Sequence, residues 1–160
     1  MKRRVVDSNV PIVANGGDAI HVSKECRLNA LEALNEIVER GRVIVDSGGE
    51  IIREYRRHLN PRGQPGVGDR FFQQVLMDYS GKVERVEITP HATRVYEEFP
   101  DDPALEAFDP SDRKFVAVAL KGKAIVVNAT DSDWLNYKDS LKANGVSVEF
   151  VCGRSLGLPD

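Results

Sequence analysis

Arg4-Val5-Val6-Asp7-Ser8-Asn9 is the stretch on which the reading of this chain turns. A short apolar run without alternation is how a strand buried on both faces reads. Here the run stops on an acid, a hydroxyl and an amide. Arg42-Val43-Ile44-Val45, ending on Asp46, repeats the pattern, and so does Ala124-Ile125-Val126-Val127. Residues 83–88, with partial alternation, and residues 146–151 supply two further strands. Longer amphipathic segments separate them. Short apolar strands alternating with helices predict an α/β domain with a largely parallel sheet.

The helices have their own signals. Leu28, Leu31, Leu34, Ile37 and Val38 recur at helical spacing and predict a helix over about residues 23–40, with Gly41 as a left-handed stop. Ser47-x-x-Glu50 reads as a capping box for a helix to about residue 59. Residues 60–68, dense in Pro and Gly, predict a loop before a third helix over about 69–79. A short helix is expected after Pro90. Residues 97–109 are acidic and interrupted by Pro100 and Pro103. Asp109-Pro110 combines an N-cap with an N1 proline and opens a helix to about residue 121, stopped by Gly122. A last helix is expected over about 132–143, ended by Asn144-Gly145.

A chain of 160 residues, 41% hydrophobic and 29% charged, can bury one core and keep a charged surface, so a single domain over 1–160 is expected. The composition excludes intrinsic disorder. A formal net charge of −3 excludes a strongly basic nucleic-acid binder, but not a nuclease with local basic patches. Cys26 and Cys152 lie far apart and outside any CxxC pair, which argues against zinc. They read as two reduced thiols of a cytosolic protein. Met1-Lys2-Arg3-Arg4 imitates a signal-peptide n-region, but Val5-Val6 is too short for the apolar part. No run approaches the ~20 apolar residues of a membrane helix. A cytoplasmic location and no membrane partner are therefore expected.

The positions of certain acids carry the chemistry. Asp7 ends one buried-looking strand, and Asp131 and Asp133 follow another. In open α/β sheets ligands bind outside the carboxyl ends of strands, so both positions point to one edge. Asp112 precedes Phe115 by three residues and Val116 by four, which aligns it with an apolar face. Glu54 lies on the flank of another such face, beside Tyr55. Carboxylates gathered at a sheet edge repel one another and raise each other's pKa. A divalent cation relieves that repulsion, and all-oxygen ligation without His or Cys favours Mg²⁺ or Mn²⁺. The chemistry implied is hydrolysis of a phosphodiester by a metal-activated water.

These residues also resemble a known pattern. Val5-Val6-Asp7-Ser8-Asn9-Val10 resembles the opening motif of PIN-domain nucleases, the family that includes the VapC toxins. Glu54, in Ile51-Ile52-Arg53-Glu54-Tyr55, falls where that family places its second acid. Asp109-Pro110-Ser111-Asp112-Arg113-Lys114-Phe115 resembles the third motif, and Thr130-Asp131-Ser132-Asp133-Trp134 the fourth. The resemblance runs in order over nearly the whole chain. It implies a three-layer α/β/α PIN-like fold with a mainly parallel sheet of about five strands. It also implies a Mg²⁺- or Mn²⁺-dependent endoribonuclease acting on RNA. Asp7, Glu54, Asp112 and Asp131 would be catalytic and would hold the metal with Asp133, while Asn9 and Thr130 would hydrogen-bond those ligands. Many members are toxins of toxin–antitoxin pairs, so an antitoxin or another protein partner, and a homodimer, are also expected.

Plainer readings stand beside these. Asp7 also reads as a turn residue, Asp112 as an N3 acid completing a cap with Asp109, and Glu54 as a solvated helix residue. Of Asp131 and Asp133, one can bind metal while the other caps the next helix. Asp46 reads as a helix cap or as a support for the ligands. Arg53, Arg57, Arg113 and Lys114 flank the acids and are candidate RNA contacts, though basic residues most often form a solvated face. Trp134 reads as core. A PIN-like module that binds RNA or protein without catalysis is the alternative function.

Overall fold

The structure, a computed structural model, describes residues 2–17 and 22–158. In chain order the elements are β1 (Lys2–Val6), α1 (Asn9–Ala14), α2 (Lys24–Arg40), β2 (Gly41–Asp46), α3 (Glu50–His58), α4 (Val67–Met77) and β3 (Val83–Val86). A hairpin of β4 (Pro90–His91) and β5 (Val95–Tyr96) follows, then α5 (Arg113–Gly122), β6 (Ile125–Asn128), α6 (Ser132–Asn136), α7 (Lys138–Ala143) and β7 (Val148–Phe150). The central sheet has the order β3-β2-β1-β6-β7, and every pairing in it is parallel. Helices cover both faces in a three-layer α/β/α architecture, around the parallel sheet expected from the alternating pattern.

The strand order sets the place of the site. From β1 the chain winds outward through β2 to β3, then returns to lay β6 against the other side of β1. The winding direction reverses between β1 and β6, which opens a crevice at their carboxyl ends. Val5, Val6, Val126 and Val127 in these two strands are fully buried, so their burial fixes the register that brings Asp7 beside the end of β6.

Several expectations change at element boundaries. Gly41 is not a left-handed stop: it is extended and begins β2 immediately after α2. A side chain there would meet the backbone of Ile37 at 2.9 Å, so close approach is what requires glycine. Leu28, counted on the apolar stripe, is 54% exposed, and Cys26 and Ala30 take the inward positions instead. Ser47 does not cap α3. Asp46 does, accepting from Glu50 N at 2.7 Å and Ile51 N at 2.9 Å, with Gly49 in the left-handed region. The short helix expected after Pro90 is the β4–β5 hairpin. The helix expected over 132–143 breaks at Tyr137 into α6 and α7, and Tyr137 packs edge-on against Phe108. Residues 9–14 form α1. Its proline, Pro11, lies in the first turn, where the missing N–H costs no helical bond.

The cysteines also differ from expectation. Cys26 and Cys152 form a disulfide that ties the first turn of α2 to the segment after β7 across 126 residues. Separation along the chain suggested independent thiols; the parallel stacking of β7 beside β6 brings them together.

Candidate metal centre

Asp7, Asp112 and Asp131 converge in the crevice, with carboxylate oxygens that lie within 4.8 Å of one another. They come from the end of β1, the 3-10 turn Pro110–Asp112 ahead of α5, and the N-cap of α6. Asp112 also belongs to a second group with Asp109 and Asp133, within the same limit. Asp7 and Asp112 are buried, and Asp131 is half-buried.

Asp7 is held on both oxygens. Its Oδ2 accepts from Trp134 Nε1 at 2.6 Å, and its Oδ1 from the Asn9 backbone N–H at 3.2 Å. The loop carrying Asp131 is sutured to the start of α1. Asn9 Nδ2 donates to Asn128 Oδ1 at 2.7 Å, and Ala129 N donates to Asn9 Oδ1 at 2.8 Å. Asn128, fully buried, then grips Asp131 by its Nδ2 on the carbonyl at 3.0 Å and its Oδ1 on the amide at 3.3 Å. Asp131 Oδ1 accepts from Asp133 N at 2.9 Å, so Asp131 both caps α6 and faces the crevice.

Electrostatics mark the cluster. Burial pushes the Asp7 carboxyl from 3.8 up to about 7; the charges of Glu54 and Asp131 add to this, and the Asn9 and Trp134 donors oppose it. Asp112 rises to about 8, first through burial and then through Asp7, Asp131, Asp109 and Glu54. Asp131 is raised as well, by burial foremost and by Asp133. Three hard oxygen ligands whose charges are mutually unfavourable form a donor set that fits Mg²⁺ or Mn²⁺.

Not every expected residue joins this set. Glu54 approaches it but is engaged elsewhere: its Oε1 is 2.7 Å from Lys114 Nζ, and its Oε2 accepts from Ser8 Oγ at 2.6 Å. Asp46 spends both oxygens on the amides of α3 and acts as a cap. The Asn9 side chain bonds Asn128 and Ala129, and only its backbone reaches one of the carboxylates, that of Asp7. Among the described residues, the Thr130 side chain makes no hydrogen bond to these carboxylates. Arg113 and Lys114, expected against RNA, are turned inward and buried. Arg113 donates to the carbonyls of Phe108 and Glu106 and lies 4.4 Å from the centre of the Phe99 ring. Arg53 and Arg57 are exposed on α3, and Arg53 pairs with Glu50.

Three supporting residues went unassigned in the sequence. Asn128 had a signal, a lone amide closing an otherwise apolar strand. Ser8 sits inside the first motif. Trp134 gave no hint of its polar role, because indole burial reads the same with or without an N–H partner. Comparison of the chain with protein-family models, with curated proteins and with solved structures returns no match.

Proposed function

We propose that this chain is a metal-dependent phosphodiester hydrolase. More particularly, we read it as an endoribonuclease of the PIN-like kind. The observation that carries the reading is the convergence of Asp7, Asp112 and Asp131 from three distant segments at the switch point of the sheet. Carboxylates raised as far as Asp7 and Asp112 cluster at functional sites.

In this reading Asp7, Asp112 and Asp131 hold the ion, and Asp133 supports it. A bound Mg²⁺ or Mn²⁺ supplies Lewis-acid stabilisation of phosphate charge and makes water acidic enough to attack at neutral pH. Trp134 fixes the Asp7 carboxylate, and Asn9 and Asn128 fix the Asp131 loop. Arg53 and Arg57, exposed on the helix that carries Glu54, supply charge for the RNA backbone. A cytoplasmic setting belongs to the same reading, and no helix among the described residues is long and apolar enough to cross a membrane. The Cys26–Cys152 bridge weighs against that setting, since disulfides persist in oxidising compartments; thiol alkylation in fresh lysate decides it. An antitoxin-like inhibitor and a homodimer are further proposals, read by copurification and by light scattering.

The test is cleavage of single-stranded and structured RNA with Mn²⁺ by wild type and by Asp7→Asn. Wild type is expected to cut, and Asp7→Asn to lose cleavage with an unchanged far-UV circular dichroism spectrum. Full cleavage by pure Asp7→Asn would reject the assignment. A PIN-like module that binds RNA or protein without cutting is the second reading, favoured by the engagement of Glu54 with Lys114 and Ser8. RNA retained but never cut would select it.

A further inference from the structure

Lys114 lies in the first turn of α5, two residues beyond Asp112. Its Nζ is 2.7 Å from Glu54 Oε1, and the two side chains are only 9% and 14% exposed. The same ammonium donates to the Ser111 carbonyl and sits 5.1 Å from the centre of the Phe115 ring. Ser8 Oγ donates to the remaining Glu54 oxygen at 2.6 Å. Each Glu54 oxygen therefore already has a donor, from a residue adjacent to or near a proposed metal ligand. An ion that drew Glu54 away from Lys114 would break a little-exposed ion pair and leave the ammonium without its counter-charge, which is strongly unfavourable.

We propose that Lys114 is a built-in second cation of the acidic crevice, so that the chain takes one divalent ion on Asp7, Asp112 and Asp131 and keeps Glu54 off it. This rests on the metal-site reading above. The charge balance supports it. Ionised Asp7, Asp112, Asp131 and Glu54 bring four negative charges, Lys114 returns one, and a single divalent ion returns two. These four carboxylates are then left with one negative charge, and half-buried Asp109 and Asp133 add two that solvent screens in part. Paired-metal sites place their ions about 3.5–4 Å apart and share carboxylates between them. An ammonium resting on Glu54 opposes an ion that would use the same carboxylate, because like charges a few ångströms apart repel strongly where water is scarce. Lys114 is thus a positioning residue: it acts through Glu54 and on the number of ions.

The test counts Mn²⁺ on the full chain by calorimetry and by electron paramagnetic resonance of the bound ion. Wild type and Lys114→Arg are expected to bind one Mn²⁺ with an uncoupled spectrum. Lys114→Met frees Glu54 and is expected to bind two, with a spin-coupled spectrum. The double variant Lys114→Met/Glu54→Gln replaces the pair by neutral groups of similar shape. It is expected to bind one, within about threefold of wild-type affinity. Two ions on wild type, or one on folded Lys114→Met, overturns the inference and leaves the metal site standing. A loss of about 10-fold or more in the double variant also overturns it, by showing that the ion depends on Glu54 instead of being kept from it. That measurement stands even if Lys114→Met alone does not fold. No Mn²⁺ on wild type overturns the metal-site reading itself.

Discussion

Raising the pH should destabilise this protein when metal is withheld, the reverse of what paired surface aspartates do. In the unfolded chain Asp7 releases its proton near 3.8, whereas in the fold burial holds it up to about 7. Between these values the folded state keeps a proton that the unfolded state has lost. Stability is fully present below the lower value and falls by about 1.4 kcal/mol per pH unit above it. For Asp7 the whole window amounts to about 4 kcal/mol, of which roughly 2 kcal/mol falls between pH 5 and pH 7. Asp112, held up to about 8, extends the decline beyond neutrality. Urea unfolding in EDTA at pH 5, 6, 7 and 8 measures it directly. Saturating Mn²⁺ should invert the trend, since an ion displaces those protons and binds more tightly as they leave. Asp7→Asn in EDTA should be flatter with pH and more stable than wild type at pH 8. A metal-free protein as stable at pH 7 as at pH 5 would refute the claim that buried, mutually repelling carboxylates meet in the crevice.

Two further outcomes are expected. Trp134→Phe keeps a ring against Phe108 but removes the N–H from Asp7, so Mn²⁺ affinity should fall about 10–100-fold by calorimetry, with circular dichroism unchanged; unaltered affinity would sever that link. Reducing the Cys26–Cys152 bridge releases a closure of 126 residues and should cost about 2–4 kcal/mol, or roughly 10 °C in melting temperature, read by a melt with and without reductant.

The amino-acid order alone determined the layers. Continuous valine and isoleucine runs at residues 5–6, 43–45 and 125–127 fit strands of a parallel sheet covered by helices on both faces, and the structure has that sheet. It also marked Asp7, Asp112 and Asp131, because acids closing such strands, or aligned with a core face, are costly unless something offsets their charge. What it did not determine was which groups face each other across the switch point. Glu54 reads along the chain as a further metal ligand, Asp46 as a cap or support, and Arg113 and Lys114 as RNA contacts. Three-dimensional packing gave them different work: Glu54 to Lys114, Asp46 to the amides of α3, and Arg113 to buried carbonyls. The Cys26–Cys152 bridge and the Trp134–Asp7 bond likewise join residues more than a hundred positions apart. Hydrophobic period is a local property that each segment carries in itself. The partner of a buried charge is set by sheet order and register, which exist only once the segments have come together.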